Sequence, residues 1–322
     1  MTGAQTAPRT VLITGAAGFI GSALCARLRG LGHRVVGYDD LSRGRREYLP
    51  AGMELVVGDI RDAARVRGVI EEARPDWLIH LAAMHFIPDC VARPEATREV
   101  NVEGTRRVLD GCRGSSVRRV LFASTGAVYA PSDAPCVEDA TPLGPLEVYG
   151  TSKVEGEALS RAFQAETGIA TTVVRLFNAI GRHETNPHVV PHIFESLQRS
   201  DVIELGNTDP RRDYIDTRDI ADAIVAVMDP AEGLRVFNVG SGEAYPVDEL
   251  VERLRRLLGR PIVVSQDPAR MRGSERMLLA ADIGRIRAAT AWAPRLSLDD
   301  TLRDLIDAYG LRNRNAAGGS VQ

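Results

Sequence analysis

A tyrosine and a lysine lie four residues apart in the segment VYGTSKVEGE, at Tyr149 and Lys153. In a helix this spacing is about one turn, so the two side chains would share a face. Tyrosine normally titrates at about 10, and a neighbouring ammonium favours its phenolate. Such a phenol could exchange a proton with a substrate hydroxyl near neutral pH. The same spacing also arises by chance on solvated helix faces, so the pair needs support from the rest of the chain.

Three glycines, Gly15, Gly18 and Gly21, form a GxxGxxG pattern between the first predicted strand and a predicted helix, in TGAAGFIGSAL. The first glycine permits a tight turn, and the second lets backbone N–H groups approach a pyrophosphate. The third lets the helix lie close to the strand, with its positive end toward the phosphates. The pattern therefore predicts a dinucleotide site.

Two acidic positions follow at the ends of the next two predicted strands. Asp39 lies 18 residues past Gly21, where a carboxylate accepts hydrogen bonds from ribose hydroxyls and repels a 2′-phosphate, which favours NAD over NADP. Asp40 could also contact the cofactor, and the alternative is that it is a turn or cap residue. Asp59 is interpreted either as a helix N-cap or as a partner of the adenine amine, with Ile60 against the ring.

The elements that position these residues alternate between short β-branched runs and longer amphipathic stretches. This succession predicts an α/β fold with a doubly wound parallel sheet covered on both faces. We expect residues 1–177 to form mainly the NAD-binding domain. Residues 178–311 would form mainly a smaller α/β substrate lobe, with some strand exchange, and residues 312–322 a flexible tail. The strands are predicted at 10–14, 34–38, 54–58, 77–82, 119–124 and 171–177.

Composition excludes several classes of protein. The 322 residues are 44% hydrophobic and 26% charged, which is typical of a globular chain. A net charge of -3 gives no electrostatic reason to expect nucleic acid or a membrane surface as partner. The chain shows no secretory signal or apolar spanning run, so we expect a cytoplasmic protein. Its four cysteines are scattered without a CxxC pattern and are interpreted as reduced thiols.

Several motifs in order resemble the extended short-chain dehydrogenases/reductases, in particular their NAD-dependent nucleotide-sugar epimerase/dehydratase branch. The resemblance extends from Gly15 to about Leu302 and implies a Rossmann-type fold with NAD as cofactor. The motifs are TGxxGFIG, DxLSxG, GDI, HLAA (80–83), NVEGT (101–105), STGAVY (124–129), YxxxK, RLFN (175–178) and RRDYI (211–215).

The resemblance implies a catalytic trio of Thr125, Tyr149 and Lys153. Tyr149 would be the general base at the sugar 4-hydroxyl, Thr125 would bond that hydroxyl, and Lys153 would hold the nicotinamide ribose and lower the tyrosine pKa. For Thr125 the alternative is a buried strand-end hydroxyl bonded to backbone. The implied cofactor contacts are Gly15, Gly18, Phe19, Ile20, Gly21, Asp39, Asp40, Leu41, Ser42, Asp59, Ile60, Leu81, Ala82, Ala83, Asn101, Tyr149 and Lys153.

The residues after Thr125 bear on the reaction. Nucleotide-sugar 4,6-dehydratases place Asp-Glu there, and UDP-glucuronate decarboxylases usually keep a glutamate at the second place. This chain has Gly126 and Ala127. The resemblance then favours 4-epimerisation of a nucleotide-activated hexose of the UDP-glucose/UDP-galactose type, through a transient 4-keto sugar. The alternatives are a nucleotide-sugar 4-reductase or dehydrogenase, a UDP-glucuronate-type epimerase or decarboxylase, and an inactive NAD-binding regulator.

The implied substrate residues lie mostly in the second half of the chain. Asn178 and Arg212 match diphosphate contacts of UDP-sugar epimerases, and asparagine at both 178 and 186 favours a neutral hexose over a uronate. His85 replaces a small or polar residue and is either a sugar contact or a packed loop histidine. The expected substrate-binding residues are His85, Ser124, Thr125, Asn178, Val189, Arg212, Arg272 and Glu275, the last standing where an aspartate is usual.

Three histidines, His183, His188 and His192, lie close together in RHETNPHVVPHI. Pro187 and Pro191 disturb the helical turn that would bring two of them together, and no HExxH glutamate is present. We therefore expect no metal site. The resemblance also implies a homodimer formed by helices near 94–112 and 152–167, although apolar residues at helical spacing would equally fit helices buried within one subunit.

Overall fold

The computed structural model describes residues 7–228, 232–267 and 276–313. Seven parallel strands form the central sheet, in the order β10-β6-β5-β4-β1-β2-β3, which confirms the predicted doubly wound α/β architecture. The strands are β1 (Thr10–Thr14), β2 (Arg34–Asp39), β3 (Glu54–Val57), β4 (Trp77–His80), β5 (Arg119–Thr125), β6 (Ala170–Leu176), β7 (Asn178–Ile180), β8 (Val202–Leu205), β9 (Arg211–Asp216), β10 (Leu234–Val239), β11 (Ala244–Tyr245), β12 (Val263–Gln266) and β13 (Leu278–Leu279).

Helices cover both faces of this sheet, which is why its central strands are buried and mostly apolar. Helices α1 and α8 pack on one face, and α2, α5 and α6 pack on the other. The helices are α1 (Phe19–Gly30), α2 (Ala63–Ala73), α3 (Ile87–Ala92), α4 (Pro94–Arg98), α5 (Thr105–Cys112), α6 (Val148–Thr167), α7 (Val189–Leu197), α8 (Thr217–Met228), α9 (Val247–Leu258), α10 (Gly284–Thr290) and α11 (Leu298–Ala308).

Helix α6 carries the tyrosine–lysine pair and ends at Gly168, whose φ of 71° caps the last turn in the left-handed conformation. A π-helical turn, Glu99–Gly104, joins α4 to α5 and packs against α6. Such wide turns are common at functional sites because they re-aim side chains. Here the turn directs Asn101 toward α6 and the loop after β4.

The second lobe has its own apolar core, formed around α7, α9 and α11. Its strands are a parallel pair, β8 with β12, and a small sheet in which β9 pairs with β7, β11 and β13. Elements from the second half of the chain contribute to the first lobe. Strand β10 completes the central sheet, and helices α8 and α10 belong to the apolar core that packs against that sheet. The division at residue 177 remains a prediction, and residues 314–322 of the predicted tail lie outside the described residues.

All four cysteines are buried and unpaired. Within the described part of the chain, no helix has both the length and the apolar composition required to cross a membrane.

Candidate active site

A cavity of about 1030 Å³ opens at the carboxyl ends of the central strands, under the second lobe. Ligands bind at this edge in open α/β sheets. In the described segments, every predicted cofactor or substrate residue lines the cavity except Leu41 and Asn101. Two predicted substrate residues, Arg272 and Glu275, lie outside the described residues.

The glycine turn allows very close backbone packing at the entry of α1. Gly15 has a φ of +73°, and a Cβ there would stand 2.7 Å from the backbone nitrogen of Ala82. A Cβ on Gly21 would stand 2.0 Å from the carbonyl oxygen of Gly15. Helix α1 has no side-chain cap and no acid in its first turn. Its positive end is thus available to an anion, which fits the pyrophosphate of a dinucleotide.

Asp39 is 7% exposed and shapes the loop beside this turn. Its carboxylate accepts backbone hydrogen bonds from Ala17 and Leu41, both at 2.9 Å, and burial raises its pKa. Each oxygen keeps a lone pair for a ribose hydroxyl. Asp40 accepts from the backbone and hydroxyl of Ser42 in an exposed turn, which is the alternative role that the sequence left open.

Asp59 does not cap the helix that follows it. The N-cap of α2 is Asp62, whose carboxylate accepts from the backbone of Arg65 at 3.0 Å. Asp59 instead pairs with Arg61, and the hydrogen bonds from Arg61 hold the pKa of Asp59 below its usual range. The adenine contact therefore remains the functional interpretation of this cavity-lining acid.

The catalytic trio converges on one wall of the cavity. Thr125 ends β5, and Tyr149 and Lys153 occupy successive turns of α6. The Thr125 hydroxyl lies close enough to the Tyr149 phenol to lower its pKa, so the end of β5 and the start of α6 lie side by side. The Thr125 hydroxyl also accepts from the backbone of Ala127 at 3.2 Å. This backbone contact is the alternative that the sequence left open for Thr125, and its bond to a sugar 4-hydroxyl remains a prediction.

The expected lowering of the tyrosine pKa by Lys153 is not found in the cofactor-free chain. Burial raises the pKa of Tyr149 and lowers the pKa of Lys153 to about 8. The ammonium donates to the carbonyl of Ala123 at 2.8 Å and lies 4.9 Å from the centre of the Phe122 ring. Burial of the phenol outweighs the lowering effect of the Thr125 hydroxyl, so the net pKa of Tyr149 is raised.

Ser124, expected to bind substrate, is committed to a buried network. Its hydroxyl donates to the Glu157 carboxylate at 2.6 Å, and Arg175 donates to the same carboxylate at 2.9 and 2.7 Å. Arg175 also donates to the Tyr129 hydroxyl. Ser124 is 2% exposed and its hydroxyl braces the end of β5, and its contact with a substrate remains a prediction.

Asn101, expected at the cofactor, is 1% exposed and does not line the cavity. Its amide accepts from the backbone nitrogen of Met84 and donates to the Met84 carbonyl, both at 2.8 Å. It also donates to the hydroxyl of Ser152 at 3.0 Å. Asn101 therefore fixes the loop after β4 against α6 and acts as a positioning residue.

The substrate side of the cavity includes a residue that the sequence analysis missed. Arg276 lines the cavity beside Arg212 and is 8% exposed. Its Nη2 donates to the carbonyl of Ala127 at 3.0 Å, whereas its Nη1 has no partner among the described residues. A buried guanidinium N–H of this kind requires an acceptor. The sequence did offer a signal for Arg276. The segment RMRGSER contains three arginines, of which only Arg272 was predicted to bind substrate.

Glu184 was also missed. It lines the cavity with His85, and both contact Asn186. From the sequence, Asn186 was used only to infer the type of sugar. Its contact with His85 could not be predicted, because the two residues are far apart along the chain.

Comparison with known proteins gives consistent results. A family model described as the NAD dependent epimerase/dehydratase family matches residues 11–240. UDP-glucose 4-epimerase of Streptomyces lividans is 34% identical over 301 residues, which cover 88% of this chain and 91% of that protein. The structure of UDP-glucose 4-epimerase from Brucella ovis in complex with NAD has a TM-score of 0.86 at 30% identity, over 94% of this chain and 98% of that one. UDP-glucose 4-epimerase from Thermotoga maritima, solved with UDP-glucose, has a TM-score of 0.88 at 25% identity, over 94% and 98% of the two chains.

Proposed function

The chain belongs to the NAD-dependent epimerase/dehydratase family, and from this premise we propose that it catalyses 4-epimerisation of a nucleotide-activated hexose of the UDP-glucose/UDP-galactose type. The observation that carries the proposal is the convergence of Thr125 and Tyr149 in the wall of the cavity, with Lys153 one helical turn from the tyrosine. Relatives named UDP-glucose 4-epimerase match nearly the whole chain, which supports the same reaction.

In this proposal NAD, when bound, supplies a reversible two-electron oxidation at the sugar carbon. The glycine turn, α1 and Asp39 would hold its adenosine and pyrophosphate. Tyr149 accepts the proton of the 4-hydroxyl and returns it to the same oxygen after the sugar has presented its other face. Thr125 holds that oxygen close to the phenol of Tyr149. Lys153 places a positive charge in the buried wall of the cavity, from which water is excluded.

The residues after Thr125 argue against elimination or decarboxylation. Gly126 and Ala127 carry no acid, so the two places directly after the threonine offer no group to protonate a leaving hydroxyl. The 4-keto sugar is then left to be reduced in place. A redox-neutral cycle needs no exchange of cofactor with solvent, which distinguishes the epimerase from a reductase.

The anionic end of the substrate would be held by Arg212 and Arg276. The two are linked, because Arg212 donates to the carbonyl of Arg276 at 2.8 Å. A guanidinium donates two parallel hydrogen bonds to phosphate oxygens. The same unpartnered Nη1 of Arg276 also favours a second candidate, a UDP-glucuronate-type epimerase, in which the guanidinium would meet the 6-carboxylate.

We also propose a cytoplasmic homodimer. Helices α5 and α6 lie side by side, and α6 exposes a face of small residues at helical spacing, Ala158, Ala162 and Ala165. Small side chains allow the close approach that a four-helix bundle between two subunits requires. Sedimentation of the purified chain would measure the mass; a monomer at micromolar concentration would reject this part of the proposal.

The test of function is an NMR time course without added cofactor, offering UDP-glucose, UDP-N-acetylglucosamine, UDP-glucuronate and dTDP-glucose separately. We expect conversion of a neutral UDP-hexose to its C4 epimer, with NAD co-eluting in gel filtration. Conversion of UDP-glucuronate alone would select the second candidate. A requirement for stoichiometric NAD(P)H would indicate a reductase, and no turnover with any sugar would favour a regulator.

A further inference from the structure

A compact group of ligating side chains forms part of the cavity wall. His85 comes from the loop after β4, and Glu184 and His188 come from the segment between β7 and α7. One ligand atom from each of the three lies within 4.8 Å of the others. The His188 Nε2 is 3.9 Å from a Glu184 carboxylate oxygen, and the rings of His85 and His188 are 5.9 Å apart at their centroids. We call these three residues the His–Glu–His cluster.

Asn186 holds the His–Glu–His cluster together. Its side-chain amide lies 3.0 Å from the His85 Nε2 and 3.1 Å from a Glu184 oxygen, and its backbone N–H donates to that oxygen at 2.8 Å. Asn186 is 3% exposed, so these hydrogen bonds form out of water. The arrangement joins two segments about 100 residues apart.

The surroundings orient the two imidazoles. The His85 ring lies beside the backbone of Ala83, and His188 packs against the ring of Phe86 at 5.3 Å in an edge-on geometry. Histidines that bind metals commonly use one ring nitrogen on the metal and the other on a backbone or carboxylate oxygen, which fixes the ring. His85, with one polar contact on the backbone and its Nε2 toward the cluster, has this arrangement.

We propose that His85, Glu184 and His188 bind one divalent transition-metal ion, with Zn²⁺ as the best match to the ligand set. Two imidazoles and one carboxylate, with a further position left open, are the donors of catalytic zinc sites, whereas Ca²⁺ and Mg²⁺ prefer oxygen ligands alone. Bonds of about 2.0–2.2 Å place tetrahedral ligand atoms about 3.3 Å apart. The cluster must therefore contract modestly, and the Asn186 amide must release His85 Nε2.

This inference revises the expectation of no metal site. That expectation considered His183, His188 and His192, which are close in sequence. In the fold His183 stacks on Tyr48 at 4.1 Å, and the His192 Nε2 lies 2.9 Å from the carbonyl of Glu204. His188 instead meets Glu184 from the same segment and His85, which the local pattern does not contain.

The site would add a function beyond epimerisation as proposed above. All three ligands line the cavity, so the open position of the ion faces the space that a ligand occupies. A cation there would attract an anionic or hydroxyl oxygen and select ligands that supply one. Metal binding by the free protein requires neither sugar nor NAD, so it is tested independently of the proposed reaction.

The test uses the purified full chain after dialysis against a chelator. Calorimetric titration with ZnCl₂ is expected to give about one ion per chain, and CoCl₂ is expected to give the visible absorption bands of a tetrahedral site. Zn²⁺ should also raise the melting temperature, because an ion that binds only the folded state stabilises it.

Two variants and a matched control complete the experiment. Glu184→Gln and His188→Asn should each weaken Zn²⁺ binding at least about tenfold and abolish the cobalt bands. His192→Asn, a neighbouring histidine outside the cluster, should bind as the parent does. Melting of the metal-free variants verifies their folding. Absence of binding by the parent, unchanged binding by both cluster variants, or equal loss in His192→Asn would overturn the proposal and leave the cluster as a hydrogen-bonded wall of the cavity.

Discussion

The Lys153 ammonium donates a hydrogen bond of 2.8 Å to the carbonyl oxygen of Ala123, across the boundary between α6 and β5. This contact, with the Phe122 ring below it, is what accommodates a cation that is 3% exposed. Burial nevertheless lowers the pKa of Lys153 to about 8. The fold therefore retains a charge beside Tyr149 that does not stabilise the protein.

Replacement of Lys153 by methionine should abolish turnover but stabilise the cofactor-free protein. The pKa of Lys153 is lower in the folded protein than in the unfolded chain, so the protonated lysine destabilises the fold. This destabilisation is complete below pH 8. Removing the charge should raise the free energy of unfolding at pH 7 by about 2 kcal/mol, after allowance for the lost hydrogen bond. Urea unfolding measures this difference. The difference in unfolding free energy between variant and parent should shrink between pH 8 and 10.5, because the parent gains stability there. A variant less stable than the parent at pH 7 would contradict this expectation.

Tyr149→Phe should reduce the epimerisation rate by about 10²- to 10⁴-fold, because the phenol is the only proposed carrier of the 4-hydroxyl proton. Cofactor content should not change, since the variant removes one oxygen from the wall. Thr125→Val should have a smaller effect, because the phenol remains. The NMR time course measures both rates, and a Tyr149→Phe enzyme as fast as the parent would reject the mechanism.

Asp39→Ala should weaken NAD binding by at least about tenfold, which is about 1.4 kcal/mol. The change removes the acceptor of the Ala17 and Leu41 N–H groups as well as the expected ribose contact. Asp40→Ala is the matched control, because Asp40 bonds only Ser42 in an exposed turn among the described residues. Fluorescence titration of cofactor-stripped protein compares them. Equal losses in both variants would show that Asp39 has no special role.

Arg276→Leu should raise the KM for the nucleotide sugar by about 10- to 100-fold while changing kcat less, because a charge-assisted bond to an anion is worth about 1.5–3 kcal/mol. Arg211→Leu is the control: that guanidinium is exposed and donates to the carbonyl of Ala244. Steady-state kinetics on the substrate found by NMR separates the two parameters. An unchanged KM in Arg276→Leu would remove this residue from the substrate site.

His80 should make the protein sensitive to acid. It is fully buried between the hydroxyls of Thr14, at 2.6 Å, and Thr105, at 2.9 Å, and burial lowers its pKa to about 3. Because the unfolded histidine binds a proton below about pH 6.5, stability contributed by the neutral ring is lost as pH falls from 6.5 toward 3.

His80→Gln tests this assignment. The variant should be less stable than the parent at pH 7, because two buried hydrogen bonds are disturbed. It should lose about 2 kcal/mol less than the parent between pH 7 and pH 5, because it has no ring to protonate. Urea unfolding at the two pH values gives the comparison. Parallel acid losses in parent and variant would show that another group controls the acid limb.

Features set by neighbours along the chain were predictable from the sequence. The strand at Thr10–Thr14, the glycine turn and the helix that carries Tyr149 and Lys153 follow from side-chain periodicity and backbone freedom, which are local properties. The acid at position 39 could be assigned for the same reason, since it ends a strand that the pattern identifies. The order of these elements was sufficient to predict a parallel sheet with its ligand edge at the strand ends.

Partners that depend on packing between distant segments were decided by the tertiary structure alone. The Ser124 hydroxyl is bonded to Glu157, and the Asn101 amide is bonded to Met84 and Ser152. The pairing of Lys153 with a carbonyl of another element has the same origin.

The unpartnered Nη1 of Arg276 and the His–Glu–His cluster show the limit of the sequence most clearly. Residue types and spacing establish which local conformations are available to each segment. They carry no information about which loop ends meet after some 100 intervening residues, because that depends on how both lobes bury their apolar faces together. The sequence thus determined the fold and led to the prediction of Thr125, Tyr149 and Lys153 as the catalytic trio, and the tertiary structure decided which charged groups surround them.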